Sequence, residues 1–477
     1  MHKIVFIEPE APNLHIFSQY LLPRLGTLIL GTMMKQRGWE VEVYIEEFRK
    51  INFHEIQSAD FVGISTITST APRSYALADK IKEYGIPVIM GGPHVSFLPD
   101  EGLEHADFVI RREGEVALMA FIDAWESGSD FSGIPNLSYR DGQNIIHNPT
   151  RPQAIDLDTL PYPDFSLLKP EKQSRHSRNT IPVLTSRGCP FDCTFCSVTG
   201  MFGKRYRFRS TENVIEELRR YNHRRNIIFF YDDNFAAHRL RTKTLLEAMV
   251  KERFKFRWIT QVRADVTRDL ELVRLMKKAG CHTLFIGFES VNPRSLEMMN
   301  KKQTLDEIRN AVRVLNKNRI HIHGMFVYGF DDDDWKTVKE TVRFAKKAKL
   351  NSTQFLILTP LPGSEFFHKV VSENRIQFRD WSLYDAHHVV FKPARFSLFD
   401  LQKAQIFSHK KFYSLKEMAK KFIKGKWLDL GIAHYARNLN RMWQRRNRLF
   451  LKAISLLRPM RGAKISIDYK EEIILDG

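Results

Sequence analysis

The chain has 477 residues, of which 43% are hydrophobic, and its formal net charge is +19. This length exceeds that of one ordinary domain, and the composition excludes a disordered, low-complexity or disulfide-based protein. No apolar stretch is long enough to span a membrane, and residues 4–7 form too short an apolar run for a signal peptide, so we expect a cytoplasmic protein.

Residues 1–135 alternate short apolar runs with segments of helical spacing. We predict strands at residues 4–7, 41–45, 61–65, 88–91 and 108–110, and helices at residues 25–36, 71–84 and 115–127. This alternation is typical of a doubly wound, Rossmann-like parallel sheet. Such sheets bind ligands at the carboxyl ends of their strands, where this chain has Ser65, Thr66, Gly91 and Gly92.

Residues 136–180 are predicted to connect two domains. Proline fixes φ and removes a hydrogen-bond donor, so a segment rich in proline does not continue a sheet or helix. The prolines of this connector are Pro149, Pro152, Pro161, Pro163 and Pro170.

Strand and helix patterns resume in residues 181–396. We predict strands at residues 183–186, 227–231, 257–261, 283–287, 321–327 and 354–358. Helices are predicted at residues 211–222, 240–253, 269–279, 304–316 and 333–347. Six such units predict an open, partial (β/α)6 barrel with its function at the carboxyl ends of the strands.

Three of the four cysteines, Cys189, Cys193 and Cys196, lie within eight residues after the first strand of this barrel. Thiolates on one tight loop favour a metal centre. A structural zinc site needs four ligands, and the remaining Cys281 is distant and predicted to be free and buried. Because an iron–sulfur cluster normally takes four thiolates, three would leave one iron open to a ligand. A zinc loop or chance clustering remains the alternative.

With Phe195 before its last cysteine, the Cys-x3-Cys-x2-Cys motif resembles the signature of the radical S-adenosylmethionine (SAM) enzymes. The resemblance implies a [4Fe-4S] cluster on these cysteines, with SAM bound to the fourth iron. It implies that one electron, from a flavodoxin- or ferredoxin-type donor, cleaves SAM to a 5′-deoxyadenosyl radical. This radical abstracts hydrogen from an unactivated carbon.

The same resemblance implies SAM contacts at the strand ends of the barrel. The segments at residues 231–235 and 286–290 could also be an ordinary turn and a helix cap, and Arg263 could pair with either SAM or Asp265. The implied contact residues are Phe195, Asp232, Asp233, Asn234, Glu289, Ser290 and Gly324.

Residues 1–135 resemble the cobalamin-binding domain that precedes the barrel in one radical SAM subclass, through residues 23–28, 62–65, 91–94 and 113–115. The resemblance implies cobalamin contacts from Ser65, Thr66, Gly91, Gly92 and Glu113. Two features depart from the pattern. The Asp-x-His-x-x-Gly motif that supplies a cobalt ligand is absent, and Arg112 stands where the subclass has glycine. His94 is predicted to be a packed loop residue and not a cobalt ligand.

Residues 397–477 are predicted to be helical and basic, with a net charge of +15 between residues 401 and 464. Basic amphipathic helices with tryptophan at the boundary are typical of peripheral contact with an anionic membrane. Helices packed on the barrel with a solvated basic face are the alternative. Nucleic acid is a less favoured partner because no RNA-binding module is recognisable.

These patterns together predict an enzyme that C-methylates a hydrophobic, lipid- or isoprenoid-like substrate in a cobalamin-dependent radical reaction. The alternative enzyme is an anaerobic oxidative cyclase acting on a tetrapyrrole-like substrate, since that family shares the two-domain layout. A non-catalytic cobalamin-binding or membrane-associated scaffold is the alternative outside catalysis.

Overall fold

A computed structural model of the chain describes residues 1–13, 22–151, 155–168 and 179–457. These residues contain two parallel sheets followed by a group of helices. The predictions made for Pro152, Pro170 and residues 458–477 lie outside the described residues.

The first sheet contains seven strands. They are β1 (Lys3–Glu8), β2 (Glu40–Ile45), β3 (Phe61–Ser65), β4 (Val88–Gly91), β5 (Phe108–Ile110), β6 (Leu137–Asp141) and β7 (Asn144–His147). The helices between them are α1 (Leu25–Gln36), α2 (Phe53–Ile56), α3 (Ala71–Lys82), α4 (Pro93–Phe97), α5 (Pro99–His105) and α6 (Glu115–Ser127). Each predicted strand and helix of this region is confirmed to within two residues.

The strand order of this sheet is β2-β1-β3-β4-β5-β6-β7, with the first five strands parallel. The order reverses between β1 and β3, and in doubly wound folds the crevice at such a point binds the ligand. Apolar side chains cover both faces of the sheet. One core surrounds Val62 and packs under α3 and α5, and the other surrounds Phe121 and packs under α1 and α6.

A β hairpin extends the first sheet past residue 135, where we predicted the connector to begin. Strand β6 pairs antiparallel with β5, and β7 pairs with β6. In β6 the first two residues, Leu137 and Ser138, are buried, whereas Asn144 and Ile145 on β7 are exposed. An edge hairpin with so few buried apolar residues gives a weak strand signal in the sequence.

The second sheet and its helices form the partial (β/α)6 barrel that the sequence predicts. Its region contains β8 (Thr180–Val183), β9 (Ser186–Arg187), β10 (Arg207–Phe208), β11 (Ile227–Phe230), β12 (Arg257–Val262), β13 (Cys281–Glu289), β14 (His321–Tyr328) and β15 (Ser352–Ile357). Six strands lie parallel in the order β15-β14-β13-β12-β11-β8, and β9 and β10 form a separate antiparallel pair. The helices are α7 (Val198–Phe202), α8 (Thr211–Arg220), α9 (Arg239–Glu252), α10 (Leu270–Lys278), α11 (Pro293–Met298), α12 (Leu305–Lys317), α13 (Trp335–Lys347) and α14 (Glu365–Ser372).

The first barrel strand lies three residues earlier than predicted, at Thr180–Val183 instead of residues 183–186. The N–H groups of Thr185 and Ser186 donate to the carboxylate of Asp232, at 2.7 and 3.1 Å, and not to a neighbouring strand. The chain therefore leaves the sheet at this point and enters β9, which leads directly to Cys189.

The C-terminal helices are α15 (Leu398–Phe412), α16 (Leu415–Ile423), α17 (Trp427–Arg446) and α18 (Arg448–Leu456), which confirms the predicted helical region as far as it is described. The open edge of the barrel at β15 is covered by this region. The Tyr413 hydroxyl accepts from the Thr353 N–H at 2.8 Å and donates to its carbonyl at 2.7 Å. Covering the edge satisfies backbone groups that would otherwise be free to pair with another chain.

The two domains contact each other through residues that are far apart in sequence. The ring of Phe97 in α4 lies so close to Gly363 that a side chain at that glycine would collide with it. Trp381 donates from Nε1 to Glu101 at 2.7 Å. The glycine in the segment after β15 is therefore required for the domains to pack together.

Candidate active site

The cysteine loop lies between β9 and α7 and is anchored on both sides. Within the loop, the Cys196 N–H donates to the carbonyl of Cys193 at 3.0 Å. The Thr194 N–H donates to the carbonyl of Met299, outside the loop, at 3.2 Å. Gly188 opens the loop with a φ of +87°, and a Cβ there would lie 2.7 Å from a backbone oxygen. Only glycine suits that position.

The three loop cysteines are free thiols and are partly accessible, whereas Cys281 is free and buried in β13, as predicted. Burial raises the pKa of Cys196 to about 12 and also raises the pKa of Cys189. These thiols therefore ionise at neutral pH only when a cation compensates the charge, as iron does.

Arg263 supports the loop. Its Nη1 lies 3.8 Å from Cys193 Sγ, its guanidinium stacks over Phe191 at 3.8 Å, and its Nη2 donates to the Lys301 carbonyl. Its Nε lies 3.7 Å from Asp265, one of the two partners that the sequence left open. The guanidinium places positive charge beside the cluster ligands.

Of the three polar residues after β11, the structure brings Asp233 to the centre of the site. The carboxylate of Asp232 is fully buried and is occupied by the Thr185 and Ser186 donors described above. Asn234 is also buried. Asp233 instead lines a cavity in front of the loop, and burial together with the nearby Asp232 raises its pKa to about 6.

Glu289 lies beside the cysteine loop, although its carboxylate already has a partner. Its Oε1 accepts from Lys301 Nζ at 2.8 Å, and the same ammonium lies 5.9 Å from the ring centre of Phe195. Ser290 Oγ accepts from the Asn292 N–H at 3.0 Å, so this residue caps a turn. Glu289 therefore holds Lys301 against the loop.

Gly324 does not face the loop. A Cβ at this glycine would lie 2.8 Å from Leu350 and 3.2 Å from Phe288, both of which belong to the core under the helices. The glycine is thus required for packing between the sheet and the helix layer, and its implied contact with SAM stays a prediction.

A cavity of about 360 Å³ lies between the two domains. The strand ends of the first domain contribute Ser65, Gly91, Gly92 and Glu113, and the barrel contributes Leu184, Met201, Phe202, Tyr231 and Asp233. The predicted residues at the ends of the two sheets therefore meet in one place.

Thr66 lies next to this cavity without lining it. Its N–H donates to the Gly91 carbonyl at 2.7 Å, and its backbone lies so close to Gly92 that a Cβ there would be 2.6 Å from the Thr66 oxygen. Gly92 has a φ of +100°. Gly92 is thus needed where the ends of β3 and β4 meet beside the cavity.

Two glycines leave free space on the wall of this cavity, as a corrinoid packed against the backbone would require. Gly26 and Gly91 lie on its wall, and no heavy atom comes within 3.5 Å of the place where a Cβ of either would be. None of the described residues on the wall is a histidine. His94 is fully buried outside it, with Nδ1 3.4 Å from Thr68 Oγ1; it packs as predicted, although it lies in α4 and not in a loop. No described lining residue offers cobalt an imidazole.

A buried ion network joins the two domains beside the cavity. Arg187 donates to Glu113 at 2.6 Å and to Glu115 at 2.7 Å, and Arg207 also donates to Glu113. Although burial opposes ionisation, Arg187 holds the pKa of Glu115 below its usual value. No local sequence pattern predicts this pairing, because its partners are more than 70 residues apart.

Comparison with known proteins matches both domains. The family model of the Radical SAM superfamily covers residues 183–345, and that of the B12 binding domain covers residues 17–122. The fold and the cysteine motif thus define a radical SAM enzyme with a cobalamin-binding domain.

Sequence relatives identify the family more closely. The chain is 32% identical over 404 residues to an uncharacterized methyltransferase of Pyrococcus horikoshii, covering 82% of this chain and 88% of the relative. It is 30% identical over 398 residues to the bacteriochlorophyllide d C-12(1)-methyltransferase of Chlorobaculum tepidum, covering 82% and 83%. The chain belongs to the cobalamin-dependent radical SAM methyltransferases, and its cofactors are a [4Fe-4S] cluster, SAM and cobalamin.

Solved structures agree with this fold. The cobalamin-dependent radical SAM enzyme OxsB, with aqua-cobalamin and SAM bound, matches with a TM-score of 0.69 at 17% identity over 94% of this chain and 75% of that one. The methyltransferase TsrM of Kitasatospora setae matches with a TM-score of 0.65 at 19% identity. The match covers 78% of this chain and 76% of TsrM. Within the described residues, no helix combines the length and apolar character that crossing a membrane requires.

Proposed function

We propose that this enzyme transfers a methyl group to an unactivated carbon of a hydrophobic, lipid- or isoprenoid-like substrate. The supporting observation is the interdomain cavity, where the strand ends of the cobalamin domain and the cysteine-loop side of the barrel form opposite walls. A substrate between these walls would face both cofactors. The hopanoid C-2 methylase of Rhodopseudomonas palustris, 24% identical over 75% of this chain and 66% of that protein, has a substrate of this class in its name.

The residues assigned to the cofactors follow from their positions. Cys189, Cys193 and Cys196 would hold the cluster, and the glycine-lined wall around Gly91 would hold the corrinoid. When bound, these groups and SAM supply the electron, the hydrogen-abstracting radical and the methyl group. The apolar wall from Leu184, Met201 and Phe202 would exclude water from a reactive radical.

Partners of the reaction follow from its chemistry. Cleavage of SAM consumes an electron, so we infer a flavodoxin- or ferredoxin-type donor. A lipid-like substrate resides in a bilayer, so we also infer peripheral contact with a membrane through the basic C-terminal region, with the protein otherwise in the cytoplasm.

The decisive experiment is anaerobic reconstitution with iron and sulfide, followed by incubation with CD3-labelled SAM, hydroxocobalamin, a reductant and dispersed isoprenoid lipids. We expect 5′-deoxyadenosine and a lipid product that has gained one CD3 group. Cys193→Ala should abolish both products, whereas Cys281→Ala, a buried cysteine outside the loop, should retain them. Turnover in Cys193→Ala would refute the cluster assignment.

A second candidate function has support from three relatives that are named as cyclases. The chain is 27% identical to the anaerobic magnesium-protoporphyrin IX monomethyl ester cyclase of Rubrivivax gelatinosus over 75% of this chain and 66% of that protein. A tetrapyrrole arm of the same assay separates the two reactions. Formation of 5′-deoxyadenosine with an oxidised product that lacks CD3 would favour the cyclase, and absence of 5′-deoxyadenosine in every arm would favour a non-catalytic scaffold.

A further inference from the structure

Large apolar side chains are exposed in an unusual concentration on the C-terminal helices. Ten of the eighteen exposed large hydrophobic residues in the described chain lie between residues 415 and 457. Apolar surface gathered in one place on a folded protein marks a site of interaction.

The most prominent group lies where α16 turns into α17, in the segment of residues 422–428 that we name the α16–α17 turn. Every residue of this segment is exposed, including Phe422 (57%), Ile423 (81%), Trp427 (64%) and Leu428 (54%). Phe422 and Trp427 contact each other with ring centres 5.3 Å apart. The turn therefore presents one continuous apolar tip.

Helix α17 continues this apolar surface along its outer side. Leu428, Tyr435 and Met442 are all exposed and recur every seven residues, which places them on one face of the helix. Ala433 and Trp443 are buried. The helix thus packs on the protein with one face and leaves a second apolar face without a partner among the described residues.

Cations surround the tip and the outer face. Lys424 and Lys426 lie within the turn, and Arg441, Arg445 and Arg446 lie along α17. Among the described residues, Lys426 has one distant carboxylate, Asp429 at 3.9 Å, and the other four cations have no salt bridge. An apolar surface surrounded by cations that are mostly without a carboxylate partner complements an anionic surface with an apolar interior.

We propose that the α16–α17 turn and the outer face of α17 dock on an anionic lipid bilayer. The tip inserts its tryptophan and aliphatic side chains at the headgroup level, and α17 lies along the interface with its arginines on lipid phosphates. The proposed lipid-like substrate gives this docking its purpose, but binding to vesicles is measurable without turnover and can fail separately from methylation.

The test is co-flotation of the full-length protein with vesicles of phosphatidylcholine containing one quarter phosphatidylglycerol. We expect binding that is lost on pure phosphatidylcholine and weakens at high salt. Ile423→Ser and the double variant Lys424→Gln with Lys426→Gln should each lower the partition coefficient about tenfold or more, from lost apolar burial and lost attraction respectively.

Matched controls lie elsewhere on the surface. Leu240→Ser removes an exposed leucine of the barrel, 72% accessible, and Lys251→Gln with Lys255→Gln removes two exposed lysines there. Both should bind vesicles like the wild type. Brominated lipid should quench a fluorescence component that is absent in Trp427→Phe.

Three outcomes would overturn the proposal. Absence of vesicle binding is one, and equal loss of binding in the control variants is another. The third is concentration-dependent self-association without lipid that is removed by Ile423→Ser, which would assign the apolar surface to a second copy of the chain.

Discussion

Arg112 lines the interdomain cavity with its backbone in the left-handed region, at a φ of +60°. Its N–H donates to Ser96 Oγ at 2.7 Å, and this bond helps to hold the conformation. A residue other than glycine in this region costs about 1–3 kcal/mol. The chain therefore stores strain at Arg112, on the wall of the interdomain cavity.

Arg112→Gly should stabilise the folded protein. Relief of the strain outweighs the greater chain entropy of glycine, about 0.5–1 kcal/mol, so we expect a net gain of about 1 kcal/mol. Denaturant unfolding measures it. Arg253→Gly is the control, because Arg253 has a φ of +53° at the exposed end of α9. If Arg253→Gly gains stability and Arg112→Gly loses it, contacts of the Arg112 side chain stabilise the fold instead.

At the residue scale, the sequence predicts which polar residues lie at the strand ends. It does not predict which side chains they contact. Asp232 and Glu289 lie at the ends of barrel strands, as expected from the alternation of strands and helices. Their carboxylates are occupied by Thr185 and Lys301, which the sequence does not associate with them. Partners across neighbouring strands depend on register, and one sequence does not fix register at polar positions.

The segment that joins β14 to α13 depends on a buried carboxylate. Asp333 accepts from Ser295 Oγ at 2.7 Å and from the N–H groups of Gly329 and Phe330 at 3.0 and 3.1 Å. Burial nevertheless raises its pKa from 3.8 to about 6. The folded state therefore binds this proton more tightly than the unfolded chain does.

Asp333→Asn should remove a pH dependence from stability. Protonated Asp333 contributes most to the free energy of unfolding below about pH 4, and this contribution is lost as the pH rises through 6. For a pKa raised by roughly two units, the loss is about 3 kcal/mol. The amide oxygen can still accept the two backbone donors. As the pH rises from 4 to 7, the free energy of unfolding should fall more in the wild type than in the variant. Asp306→Asn, at a highly exposed carboxylate, should follow the wild type, and parallel curves for Asp333→Asn would contradict the assignment.

At the element scale, the predictable helices and strands are those with strong periodicity and local caps. Helix α12 begins with a capping box, in which Thr304 and Glu307 each accept the other's N–H, and this signature is visible in the sequence. The β6–β7 hairpin and the end of β8 were missed. The hairpin buries little apolar surface, and β8 is ended by a carboxylate 47 residues away.

The arrangement of the two domains follows from contacts that no local pattern announces. Arg187 lies two residues before the first cluster cysteine and pairs with Glu113 and Glu115 of the cobalamin domain. The position of the cysteine loop is thereby tied to the first domain. Both the fold of each domain and the cysteine motif could be predicted, whereas this link could not, because ion pairs between domains have no periodicity.

Glu115→Gln should loosen the attachment of the cobalamin domain to the cysteine loop. Removing one partner of a buried ion pair costs about 3–5 kcal/mol of stability when the remaining charge stays buried. Because Glu113 still compensates the charge of Arg187, we expect a cost at the lower end of this range. Amide hydrogens of β9 and β10 should exchange faster. Glu46→Gln, which breaks the pair of the buried Glu46 with Arg73 inside the first domain, is the control and should leave their exchange unchanged. Equal exchange in all three proteins would mean that backbone packing alone, including Phe97 on Gly363, fixes the loop against the first domain.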